Sequence, residues 1–93
     1  MTSKTQAIET ANMLIDTANE IMGFNYGLWF DAVEDKDYQA ASHRKHSTMA
    51  QIEGLQHAAI RCKSKVHRDA DLAAVYNRAI NNLQNKWAET LDW

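Results

Sequence analysis

Residues 3–33 read SKTQAIETANMLIDTANEIMGFNYGLWFDAV, and whether this stretch is one helix or two decides the fold. Ser3-Lys4-Thr5-Gln6 has the form of a capping box, in which a hydroxyl and a glutamine side chain satisfy free donors at a helix start. Apolar residues then recur every seven positions. Ile8, Ile15, Met22 and Trp29 form one row, Ala11, Ala18 and Ala32 the next, with Leu14, Ile21 and Leu28 alongside. The register survives to about Val33, which predicts a single helix of about 30 residues, roughly 45 Å long. Gly23 and Gly27 lie inside it, at a cost near 1 kcal/mol each. The rival reading ends the helix at Gly23 as a left-handed cap and opens a short second helix near Asn25.

Outward from this stretch, Glu34-Asp35-Lys36-Asp37 is a polar turn in which either aspartate can cap the next helix. Tyr38, Ala41, Thr48, Ile52, Leu55, Ala59, Cys62 and Val66 then hold one face at spacings of three and four. Lys45 falls on that stripe and has to extend its ammonium outward. The second helix is expected to end between Lys63 and His67. A third begins at Asp69, an acid at the positive end of a helix dipole, and Leu72, Val75, Tyr76, Ala79, Ile80, Leu83 and Trp87 make its core face. The chain contains no proline, and its only glycines are Gly23, Gly27 and Gly54, which excludes an all-β design with its frequent turns. Ninety-three residues make one domain, residues 1–93, since so short a chain has no room for a second core. The expected fold is all-α: an antiparallel three-helix up-down-up bundle with long helices, able to associate as a dimer. Small residues at many core positions leave Trp29, Tyr76 and Trp87 to carry much of the burial.

Hydrophobic residues at 45% and charged residues at 24% exclude the composition of a disordered chain. The lone cysteine, Cys62, has no partner for an internal disulfide, which fits a reducing compartment, and the cytoplasm is the expected location. Its place on the buried stripe suits a small apolar filler. No run approaches the roughly 20 apolar residues of a membrane span, so no membrane association is expected. The net charge of -2 hides a segregation: residues 1–35 carry six acids against Lys4, and residues 36–68 carry seven bases against Asp37 and Glu53.

Three functional readings follow from these residues. Phe24, Tyr26, Trp29 and Phe30 fall within seven residues and spread too far around a continuous helix to face one interior. Phe24 and Phe30 are expected to lie outside, near Gly23 and Gly27, whose missing side chains leave room for another backbone, and Trp93 adds a further ring. Uncovered rings in a small domain mark a partner surface. If instead helix one breaks at Gly23, the same rings fold back into the core. The first reading is therefore a non-enzymatic protein-interaction module that self-associates through these rings and binds a protein partner, a type compatible with phage or mobile-element accessory and inhibitor proteins.

The second reading is a nucleic-acid-binding module using Arg44, Lys45, Arg61, Lys63, Lys65 and Arg68, because phosphates require only suitably spaced positive charge. The run from Arg61 to Arg68 lacks aromatic residues that could stack bases. The same bases also suit the carbonyl end of helix two and the acidic first helix.

The third reading is a metal- or histidine-dependent hydrolase. His43, His46, Glu53, His57 and Arg61 share an arc of about 80°, and Glu53 with His57 could offer a carboxylate and an imidazole to a divalent metal, a further histidine coming from a neighbouring copy. Their spacing matches neither zincins nor Glu-x-x-His di-iron bundles, and an ordinary solvated helix face accounts for them, so no cofactor is expected. Arg61 and His67, six apart, resemble the loosely spaced Arg and His pair of small helical ribonucleases associated with toxin systems, which implies ribonuclease activity. The clustered Glu-Glu-x-x-Glu carboxylates of helical nucleotide pyrophosphatases are absent.

Overall fold

Ser3 starts the first helix as its sequence predicts. Its hydroxyl accepts from the Gln6 amide at 3.1 Å, and the Gln6 side chain accepts from the Ser3 amide at 3.0 Å. In this computed structural model, which describes residues 3–93, α1 runs unbroken over Lys4–Glu34, through both glycines. A Cβ built on Gly23 or Gly27 would meet nothing within 4 Å, so neither glycine serves a close approach within the subunit. Helix α2 spans Tyr38–Lys65, capped by Asp37, whose carboxylate accepts from the Ala40 amide at 3.1 Å. Helix α3 spans Ala70–Leu91, and Asp69 caps it by accepting from the amides of Asp71 and Leu72. Each helix packs against the other two, giving the all-α up-down-up bundle as a rod of 51 × 17 × 15 Å.

The α1–α2 turn is a Schellman motif. The Asp37 amide donates to the Ala32 carbonyl at 2.8 Å and the Lys36 amide to Val33 at 3.0 Å, while Lys36 takes the left-handed conformation with φ 59. Glycine is the usual residue there, so the sequence held no overt signal for this motif.

Two corrections concern the core. The buried line of α1 is Ala7, Ala11, Leu14, Ala18 and Asn25, so the expected row of Ala11 and Ala18 with Leu14 faces the centre, whereas the neighbouring row of Ile8, Ile15, Met22 and Trp29, turned about 60° around the helix from it, lies at the edge of the core. Ile8 is left 41% exposed. Nor do the tryptophans fill the centre. Tyr76 is buried, but Trp29 and Trp87 are only half-buried, and the largest wholly buried side chains are Ile52, Leu83, Thr48 and Thr90. Alanines from all three helices meet around Leu14 and Leu83, so the helices approach closely around a thin core.

Helix α3 is the short member, with 22 residues against 31 in α1, a difference of about 13 Å at 1.5 Å per residue. The Gln56 side chain of α2 donates to the Gln84 side chain of α3 at 2.8 Å, which fixes the level of the two antiparallel helices. Stepping from that pair, Trp93 comes level with about Ser47. The end of α1 and the start of α2 therefore project beyond α3 as a two-helix tip.

Candidate functional site

The projecting tip is where the aromatic residues gather. Tyr26 lies 5.6 Å from Trp29 and 6.3 Å from Phe30, ring centre to ring centre. Trp93, at the end of α3, meets Tyr26 edge-on at 5.4 Å and lies 5.7 Å from Trp29. Such spacings are those of attractive ring pairs. The four rings form one cluster, in which Tyr26 and Phe30 remain 47% and 45% exposed and Trp29 and Trp93 half-buried. A cleft of about 320 Å3 beside them is lined by Met22, Gly23, Tyr26, Glu89 and Trp93.

Helical geometry explains why these rings lie together. The groove between α1 and α3 is lined on the α1 side by Lys4, Ile8, Ala11, Asn12 and Ile15. Five turns further on, about 18 residues, the same flank carries Met22, Tyr26, Trp29, Phe30 and Val33. Lower down, this flank faces α3; above Trp93 it has no third helix to face. Phe24 stands apart, five turns on from Gln6, on the opposite flank of α1, and is 70% exposed.

Tyr38 is the residue whose setting the sequence misjudges. It lies on the α2 stripe as expected, five turns before Gln56, yet it is 65% exposed because α3 ends before reaching its level. Asn25 on α1 is buried, and its amide nitrogen donates to the Ile21 carbonyl at 2.8 Å. Periodicity finds Tyr38 but cannot report that its neighbour stops short.

The basic residues are not gathered in the same way. On α2, Lys45 and Lys63 point along one direction, while Arg61 and Lys65 lie roughly 160–200° around the helix from them. Arg44 lies about 25 Å along the axis from Arg61, and Arg68 falls in the turn after α2. His43, His46, Glu53 and His57 are all exposed, with the His46 Nδ1 2.8 Å from the Ser42 carbonyl oxygen. Among the described residues no three His, Cys, Asp or Glu side chains come close enough together to hold a metal ion. Arg61 is on α2 and His67 in the following turn, where its Nδ1 lies 2.8 Å from the Ser64 carbonyl oxygen.

At the other end of the rod, Cys62 is a free, partly exposed thiol packed beside Ala7, Leu72 and Tyr76. A groove of about 430 Å3 opens there, lined by Gln6, Glu9, Thr10, Cys62, Lys65, Val66 and Tyr76. Burial raises the pKa of the Tyr76 hydroxyl above the usual tyrosine value, and Cys62 raises it further, against the opposing effect of a hydrogen bond with Thr10.

No protein-family description matches the chain, and neither a curated protein nor a solved structure does. No helix among the described residues is long and apolar enough to cross a membrane.

Proposed function

We propose that this chain is a non-enzymatic protein-interaction module whose contact surface is its aromatic end, engaging a second copy and a protein partner. One observation carries the reading: four rings pack together at the projecting tip, and the protein leaves two of them nearly half uncovered. Exposed aromatic surface is unfavourable in water, and preformed rings lose little conformational freedom on binding, so such a cluster favours association. The phage or mobile-element accessory type remains compatible with a small module of this kind. A cytoplasmic setting belongs to this proposal, in keeping with a single cysteine that has no partner for an internal disulfide.

The test is affinity capture from the native cell with the wild-type chain and with Tyr26→Ser/Phe30→Ser. The expected result is one protein retained in stoichiometric amount by the first and lost by the second. A protein retained equally by both, or nucleic acid recovered in its place, refutes the reading.

A further inference from the structure

The seven-residue row of α1 is left at the edge of the core, and it borders a groove. Ile8, Ile15 and Val75 line a cavity of about 170 Å3 between α1 and α3. Helices α1 and α3 run parallel, so a step of seven residues along both leads from Ile8 and Val75 to Ile15 and Asn82, and a second step leads to Met22 and Glu89. Met22 and Glu89 line the cleft of about 320 Å3 beside Tyr26 and Trp93. The two hollows are therefore the ends of one groove, about 27 Å from Ile8 to Tyr26, which opens onto the aromatic cluster. Along it Ile8 and Tyr26 are exposed, and Ile15 and Met22 are half-buried. An apolar row repeated every seven residues stays in register with a helix laid against it. Resting on the reading above, we infer that this groove receives an acidic amphipathic helix of the protein partner, about 18 residues long.

Charge selects that occupant. Lys4 and Arg78 line the first cavity, with no acid among the described residues beside them, and the half-buried Lys86 follows about two turns beyond Arg78 on α3. Asp71 and Glu89 are the acids on the α1-facing side of α3, one toward each end of the groove. Glu9 and Asp16, each following its isoleucine, are turned about 100° away around α1. Carboxylates flanking the middle of a docked helix therefore meet bases, which steers encounter and rejects a basic helix. Asn82 marks the midpoint. The Asn82 Oδ1 is buried and meets no hydrogen-bond donor among the described residues, a costly state for an acceptor. A turn of this half-buried side chain presents it to a donor on the incoming helix, and a single polar pair of that kind fixes register.

Calorimetric titration with two synthetic peptides tests the groove. Both are 21 residues long with leucine at the first and fourth positions of each heptad; one carries glutamate on the flanking positions and the other lysine. The glutamate peptide is expected to bind, gaining helicity by circular dichroism and shifting the Asn82 side-chain amide resonances, and the lysine peptide to bind at least tenfold more weakly at low salt. Ile8→Glu and Arg78→Glu, both at exposed positions, are expected to weaken the glutamate peptide at least tenfold, Arg78→Glu also narrowing the preference between peptides, while Phe24→Ala on the opposite flank leaves binding unchanged. Thermal unfolding verifies that each variant folds. Failure of the glutamate peptide to bind at millimolar concentration overturns the inference, as does binding indifferent to Ile8→Glu and Arg78→Glu. Self-association lost with Ile8→Glu, in a protein that takes neither peptide, assigns the groove to a second copy and overturns it too. If the groove fails while Tyr26→Ser/Phe30→Ser still releases a captured partner, the aromatic end remains the contact surface and only the groove is withdrawn.

Discussion

Lys36 shows how one residue can hold a connection at some cost. It occupies the left-handed position of the Schellman turn, where a side chain costs roughly 1–2 kcal/mol relative to glycine. Lys36→Gly is therefore expected to stabilise the monomer by about 1 kcal/mol, read as a higher urea midpoint with an unchanged slope. Tyr76 makes a second claim at this scale. Its folded pKa is raised, by burial first and Cys62 second, above its ordinary value of 10.0. The native state thus holds that proton more tightly than the unfolded chain does. The stabilisation is fully present below pH 10 and is lost as pH rises through the folded pKa. Chemical denaturation of the wild type should show stability falling above pH 10, and Tyr76→Phe should flatten that decline.

Among the elements, each helix start is held by a side chain of the predicted kind: Ser3, Asp37 and Asp69. These starts are legible because a cap is a local bond between residues two or three apart. Asp69 accepts from two amides at once, and Asp69→Ala is expected to cost about 1 kcal/mol. Hydrogen exchange in the first turn of α3 should quicken in that variant, while the Ser3 end of α1 keeps its protection. The continuity of α1 was favoured by an apolar register that runs through both glycines, but the sequence also allowed a break at Gly23, which the unbroken helix Lys4–Glu34 excludes. What could not be read was the level at which α3 stops beside its neighbours. The Gln56–Gln84 hydrogen bond that shows it joins residues 28 apart.

For the whole molecule, the consequence of a core made largely of alanine is that a few branched side chains carry much of the burial. Leu83 and Ile52 are fully buried, and Leu83→Ala is expected to destabilise by about 2–5 kcal/mol. Ile8→Ala should cost much less, because Ile8 keeps two-fifths of its surface in water and flanks the core rather than filling it. Urea titration of the two variants checks that Ile8 lies at the edge of the core rather than within it.

The sequence by itself determined the three helices, their caps and the crowding of rings near the end of α1, because caps, glycine usage and hydrophobic period depend on residues within a turn or two of each other. Once the first helix is continuous, it also implies that Phe24 and Phe30 do not both find cover in one interior. Only the tertiary structure decided that Ala7 faces the centre while Ile8 stays at its edge, that Trp93 closes onto Tyr26 and Trp29, and that Tyr38 stands uncovered. These outcomes depend on the relative heights and rotations of packed helices, which distant contacts set jointly and no local pattern encodes.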